Sequence, residues 1–356
     1  MMIAEHRPSA AVAAVALGLA FVLSACGSVS GPPTTAPQAV GSPTTAPPVV
    51  GSSAGPDASD AAAASMAPAP SVAPAPALDL AWEHAGNPPA QGSIPATYWP
   101  AIDPKTGNIW VAVPFSGLFW IFGPDGKTVG SFGGPGTGPG QFNFQRPCKN
   151  CGAGAIAFAP DGSFFVADDG NNRIQKFDPQ HHFVTSWGTF GSGNGQFADA
   201  NSIATDGKVV YVYDDSRTDT QVFDTSGTYQ RTLKDLYGWM LVGRNGHLFA
   251  ASSAGIVEVD AEGKTLNTWS LPQFEGDRIG LAMDPGGRFY FNIQDHSTAD
   301  ALGLVRFDPA TNAVERWSTA GETLLVDPTG KAIYEANYVS AGWPSATLRK
   351  YTLPAS

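Results

Sequence analysis

The chain has 356 residues and a formal net charge of −11, with 41 glycines, 30 prolines and three cysteines. Such acidity argues against a nucleic-acid partner, whose phosphates reward basic faces, and against electrostatic adhesion to anionic lipid headgroups. The cysteines divide into Cys26, alone near the start, and the close pair Cys148 and Cys151.

Residues 10–23 are almost wholly apolar. The run is about 14 residues long, short of the roughly 20 needed to cross a bilayer, and reads as the hydrophobic part of an export signal. Leu23-Ser24-Ala25-Cys26 follows directly and resembles the bacterial lipobox. That resemblance implies removal of residues 1–25, diacylation of the Cys26 thiol and a membrane as partner. Two or more acyl chains anchor stably where one holds marginally, at roughly 0.8 kcal/mol per buried CH₂. The alternative is an ordinary secretory signal with an incidental cysteine, since only Arg7 and His6 stand against Glu5 before the apolar run.

Residues 26–77 are nearly all Ala, Pro, Ser, Thr, Gly and Val, with Asp57 and Asp60 the charged exceptions. A segment of this kind cannot bury enough apolar surface to offset the entropy of ordering. Its prolines favour extended polyproline II, so it reads as a disordered, semi-rigid spacer.

From residue 78 to 356 aromatic residues return, and roughly 280 residues can bury a substantial core. Residues 155–177 (AIAFAPDGSFFVADDGNNRIQKF) and 202–223 (SIATDGKVVYVYDDSRTDTQVF) are copies of one unit. Weaker copies begin at Ala101, Met240, Leu281 and Leu324. Each copy is two short strands about a Gly-containing turn. A third strand ends near Phe122, Phe177, Phe223, Val259, Phe307 or Tyr351, and a fourth near Phe132, Trp187, Leu233, Trp269 or Trp317. Four antiparallel strands repeated every 40 to 45 residues or so indicate a β-propeller. The sixth copy lacks a fourth strand, and residues 78–86 supply one, with Trp82 where Trp187, Trp269 and Trp317 stand. The expected fold is all-β: six four-stranded antiparallel blades, closed by the N-terminal strand joining the last. A monomer is expected.

Gly140-Gln141-Phe142, Gly195-Gln196-Phe197 and Asn172-Arg173-Ile174-Gln175 resemble the NHL-repeat propellers. The match is good in the second blade, fair in the first and third, and architectural in the rest. It implies the fold and a repertoire of secreted binding or lyase-type proteins, and transfers no catalytic residue.

Function in such rings concentrates where loops gather about the axis. The loops leading into the innermost strands bring Tyr98, Trp99, Tyr237, Trp239 and Phe274; those between second and third strands bring Phe115, Asp169, Asp215, Asp295, His296, Tyr338 and Trp343. The expected mouth is aromatic and acidic. Asp168 and Asp214 fall where an aspartate commonly binds its own turn. Asp169, Asp215 and Asp295 could offer carboxylates to calcium, which needs six or more oxygens; no other cofactor is indicated. His296 reads either as a general base or as an exposed loop residue. No three-histidine zinc set is visible, and no Gly-x-Ser-x-Gly elbow or phosphate loop has its required helix.

Trp99, Ala155, Ser202, Trp239, Gly280 and Thr323 align one position before each innermost strand. The two tryptophans fall in opposite blades, where they form either an apolar clamp or a channel plug. The interval from Phe142 to Ile156 is about eight residues longer than that from Phe197 to Ile203, and Cys148 and Cys151 lie in this insertion. Outside the cytoplasm so close a pair is expected to be oxidised. Two function classes follow: a displayed module binding a glycan, peptide or protein, or a metal-assisted lyase or lactonase on the same face.

Overall fold

In the computed structural model, the described residues are 76–85, 98–113, 116–144, 154–234, 236, 238–243, 245–252, 255–271, 277–294, 302–319, 323–337 and 347–354. They form twenty-four strands and one short 3₁₀ turn, Asp169–Asn171. Strand β1 (Asp79–Ala85) comes first in sequence and last in the ring. The first blade is β2 (Tyr98–Ile102), β3 (Ile109–Val113), β4 (Leu118–Phe122) and β5 (Thr128–Gly133); the second is β6 (Ile156–Phe158), β7 (Phe164–Asp168), β8 (Arg173–Phe177) and β9 (Phe183–Trp187). The third comprises β10 (Ala200–Thr205), β11 (Val209–Asp214), β12 (Asp219–Asp224) and β13 (Tyr229–Lys234). The fourth comprises β14 (Trp239–Val242), β15 (Leu248–Ser252), β16 (Gly255–Val259) and β17 (Thr265–Ser270). The fifth is β18 (Asp277–Met283), β19 (Phe289–Gln294), β20 (Leu302–Asp308) and β21 (Ala313–Ser318). The sixth is β22 (Thr323–Val326), β23 (Ala332–Asn337), β24 (Thr347–Thr352) and, beside β24, β1. This is the six-bladed all-β propeller that the repeats predict.

The sequence of each strand follows from its depth in the blade. A blade is pressed between two neighbours, so its inner strands are buried on both faces and read as unbroken apolar runs. Strands β3 and β7 are buried at every position, whereas the outermost β5 and β9 are largely exposed. The core accordingly lies between blades. One cluster joins Trp110 and Phe119 of the first blade to Phe164 and Phe177 of the second, with Phe142 of the connecting loop inserted among them.

Closure is by β1, which pairs antiparallel with β24 from Asp79 opposite Thr352 to Ala85 opposite Thr347. Arg349 Nε meets Glu83 Oε2 at 2.5 Å across the pair. Trp82 then reaches the first blade, donating from Nε1 to the Pro124 carbonyl at 3.2 Å. Its indole lies on Gly126, as the Trp187 indole lies on Gly227.

The expected alignment of six residues just before the innermost strands holds for Ala155. Trp99, Ser202, Trp239, Gly280 and Thr323 instead fall within their strands. For Trp99, Ser202 and Gly280 the difference has a physical cause. Strands β2, β10 and β18 carry register shifts near their starts, between Tyr98 and Ala101, Ala200 and Ser202, and Ile279 and Ala282. Such bulges extend a strand beyond its regular ladder.

Two glycine substitutions separate backbone strain from blade packing. Gly195 has φ 72° with open space around an added Cβ, whereas at Gly227, φ 94°, a Cβ would lie 2.5 Å from the Trp187 ring. Gly195→Ala should therefore cost about 1–2 kcal/mol from left-handed strain alone. Gly227→Ala should cost a further 1–3 kcal/mol or so from overpacking. Urea unfolding of both variants checks the difference.

Candidate functional site

The six innermost strands stand side by side in a closed cycle: β2, β6, β10, β14, β18, β22 and back to β2. They surround an axial cavity of about 300 Å³. Because blades pack face to face, successive side chains of an innermost strand turn toward alternate neighbours. In β14, Trp239 and Leu241 join the cluster shared with the fifth blade, while Met240 and Val242 join the one shared with the third. The axis therefore meets strand edges and the flanks of Ile156, Ile203, Leu241, Leu281 and Leu325. This lining is aliphatic.

A second cavity, of about 390 Å³, shares Leu241, Leu281 and Leu325 with the first and reaches Asp284 and Asp327 in the first-to-second-strand turns. Both carboxylates serve their own turns. Asp284 accepts from the Gly286 and Arg288 N–H groups, from Arg288 Nε at 2.7 Å and from the Tyr290 hydroxyl at 3.1 Å. Asp327 accepts from the Thr329 hydroxyl and the Lys331 and Ala332 N–H groups.

Of the expected mouth residues, Trp239 is placed most fully. It opens β14 opposite Ala251, lines the axial cavity, and packs its half-buried indole against the cluster around Phe249, Leu281 and Phe291. Tyr98 and Trp99 lie in β2, three blades away around the six-membered cycle, with their side chains outside the described residues. Cys26, Phe115, Cys148, Cys151, Tyr237, Phe274, Asp295, His296, Tyr338 and Trp343 also lie outside the described residues.

Asp169 and Asp215 are placed differently from one another. Asp169 is buried in the 3₁₀ turn after β7; Asp215 is exposed and accepts from the Tyr213 hydroxyl at 3.0 Å. Burial first, then the Asp215 contact, raise the Tyr213 phenol well above its ordinary value, so it remains a donor. Among the described residues, no three His, Cys, Asp or Glu side chains gather as a metal-binding group.

Asp168 does more than hold its own turn. The fully buried carboxylate accepts from Asn171 Nδ2, from Arg173 Nε at 2.7 Å, from Gln175 Nε2 at 3.0 Å and from the Asn143 N–H at 2.8 Å. Asn143 belongs to the loop arriving from the first blade, so Asp168 joins two blades. Gln175 continues the junction: its Oε1 accepts from the Gly140 N–H and its Nε2 donates to the Gln141 carbonyl. The next junction repeats the pattern with Gln221, which accepts from Gly195 and donates to the Gln196 carbonyl. Asp214 there accepts only from the Ala198 and Arg217 N–H groups among the described contacts. The repeated Gly-Gln-Phe run, together with Gln175 of the Asn-Arg-Ile-Gln run and its counterpart Gln221, thus staples blade to blade.

Sequence reading missed the aliphatic channel wall and two buried polar residues, Asn292 and Glu335. Glu335 stands opposite Leu324, where Val166, Val212 and Ala250 stand opposite Ile156, Ile203 and Met240. Both are fully buried. The available signal was a polar side chain inside an otherwise apolar inner strand.

No protein-family model and no curated protein matches this sequence. Solved structures do match. Virginiamycin B lyase from Staphylococcus aureus superposes with a TM-score of 0.50 at 11% identity, covering 76% of this chain and 99% of that one. A catalytically inactive form of that lyase with quinupristin gives 0.50 at 12% identity, covering 77% and 100%. A Bacteroides thetaiotaomicron protein of unknown function gives 0.53 at 12% identity, covering 74% and 71%. Likeness at this level establishes the class, a six-bladed β-propeller, and leaves chemistry to this chain's own residues.

Asp168→Ala should cost about 3–5 kcal/mol, because it strands the Arg173 charge at a buried junction. Asp214→Ala removes two backbone contacts and should cost about 1–3 kcal/mol. Denaturant unfolding followed by tryptophan fluorescence measures the order of the two.

Proposed function

We propose that this chain is an exported, lipid-anchored propeller of NHL type that binds a ligand at its axial mouth. The observation that carries the reading is the cavity itself. It is of ligand size, lined by residues of all six innermost strands with Ile156, Ile203, Leu241, Leu281 and Leu325 among them, and bordered by Trp239. An apolar pocket with one polar-edged aromatic at its rim suits a sugar ring, a peptide or an aromatic group. Tyr98, Trp99, Phe115, Tyr237, Phe274, Asp295, His296, Tyr338 and Trp343 are the proposed remainder of the mouth. Cys26 is the proposed lipid-bearing residue, residues 27–77 the spacer, and Cys148–Cys151 a disulfide shaping the insertion. The acidic chain takes no nucleic acid and acts as a monomer.

A second reading is a metal-assisted lyase or lactonase, with Asp169, Asp215 and Asp295 offering carboxylates to calcium. The quinupristin-bound lyase among the similar structures favours testing it.

The test uses the full chain purified from membranes. Tryptophan fluorescence is followed against glycan, peptide and quinupristin probes, with EDTA, calcium or zinc. The binding reading expects saturable, metal-independent quenching that Trp239→Ala removes. Turnover of a probe that EDTA abolishes would support the lyase instead. Because the Trp239 indole is half-buried, its truncation should cost about 1–3 kcal/mol, below the toll for a fully buried aromatic. Cys26→Ser should shift the protein from the membrane fraction to the soluble one, or leave the precursor uncut; wild type found soluble and unmodified would refute the anchor.

A further inference from the structure

Between the fourth and fifth blades the side of the ring is open. At the other described junctions, the last strand of one blade is closed off by the next. Trp82, Trp187 and Leu233 lie on Gly126, Gly227 and Gly263, where an added Cβ would approach to 2.9, 2.5 and 2.4 Å. Phe132 is covered by His181, whose ring lies 5.6 Å from it and 5.0 Å from Trp110. Trp317 is packed with Leu78 and Leu353.

Trp269 differs. It faces the 308–312 turn of the fifth blade, which contains no glycine, and a cavity of about 360 Å³ opens between Trp269 and Pro309. That turn is one residue longer than the 178–182 turn: its left-handed residue, Asn312 at φ 58°, stands four positions after Asp308 and is exposed, whereas His181, φ 68°, stands three after Asp178.

The cavity has an aromatic floor and an acceptor wall. Trp269 is backed by Phe249 and Phe289, with ring centroids 6.4 and 5.5 Å away. The Glu258 carboxylate, 7% exposed, borders the space beside Asn245. It accepts from His247 Nδ1 at 2.6 Å, Asn267 Nδ2 at 2.5 Å and Asn245 Nδ2 at 3.3 Å. Burial would raise this carboxyl, but the His247 and Asn267 contacts hold it below its usual value. On the facing side Asp284 is taken up by Arg288, Tyr290 and its own turn.

We infer that this slot is a second ligand site and that it takes a neutral saccharide ring, stacked on Trp269 and donating a hydroxyl to Glu258. Two carboxylates at the border repel an anion. A wholly apolar ligand would strip water from Glu258 and return no hydrogen bond. A carboxylate has about four acceptor positions, and Glu258 uses three on its own chain, leaving room for one ligand donor. A pyranose joins an apolar C–H face to an edge of hydroxyls, which is the complement of this floor and wall. Trp239 and the axial cavity take no part.

The test titrates the full chain, in a sugar-free zwitterionic detergent, with methyl glucoside, galactoside, mannoside and N-acetylglucosaminide. Benzylamine serves as a cationic probe. Binding is read by saturation-transfer NMR and tryptophan fluorescence, with folding checked by circular dichroism. At least one pyranoside should bind the wild type and should still bind Trp239→Ala, in which the axial mouth is disabled; the other variants are made in that background. Trp269→Ala should abolish binding, and Glu258→Gln should weaken it about tenfold. Pro309→Phe, which puts a larger side chain at the border of the slot itself, should block it; this variant decides the matter if Trp269→Ala fails to fold. Binding of benzylamine alone, no pyranoside binding, or binding that survives Pro309→Phe would overturn the inference.

Discussion

The structure depends on one strand pairing, that of β1 with β24. Five blades are built from consecutive sequence and can form by local hairpins. The sixth cannot, because its outer strand is drawn from the other end of the propeller, with Glu83 and Arg349 266 positions apart. The entropic cost of joining such distant segments grows only slowly with their separation. The gain is a sixth blade of four strands like the others, with the two ends of the propeller tied together through β1 and β24. Trp82 extends the seam by carrying contacts onward to Pro124 and Gly126 of the first blade. Closure also creates the axial cavity, since all six innermost strands must meet before it has a wall.

Within the closed ring the junctions are unequal. Between the first and second blades, and between the second and third, buried hydrogen bonds from Asp168, Gln175, Asp214 and Gln221 tie each incoming loop to the next blade. Phe142 and Phe197, both fully buried, follow those glutamine contacts into the core. The later blades lack the Asn-Arg-Ile-Gln run and hold together by aromatic and aliphatic packing around Phe249, Phe289, Trp317 and Tyr351. Polar staples impose one geometry, whereas apolar contact tolerates variation in loop shape. The lateral slot at Trp269 and the buried polar residues Asn292 and Glu335 all occur in this second half. The slot proposed as a ligand site thus lies where the ring is less tightly specified.

The architecture was legible in sequence because every blade repeats the same physical problem. A strand squeezed between blades must be apolar on both faces, so Ile109 to Val113 and Phe164 to Val166 announce themselves. The missing outer strand of the sixth copy and the Trp at position 82 gave away the closure. Site features were harder to read, because they depend on register and on contacts between blades. Asp168 looked like a turn residue, and only the ring brings the Asn143 N–H to its carboxylate. Bulges in β2, β10 and β18 shifted the starts of innermost strands that the repeats alone aligned. Glu258 belongs to an ordinary third strand in sequence, and only the packing of two blades sets it at a cavity border.

The central claim is that a single cooperative ring, sealed by β1, builds the ligand-sized axial cavity. Amide hydrogen exchange on the intact protein tests it most directly. The account predicts that the β1 amides bonded to β24 exchange as slowly as the β24 amides bonded to β1, in one protected set with the innermost strands. Rapid exchange of β1 alongside a protected β24 would contradict it, because the sixth blade would then be three-stranded and the ring unsealed.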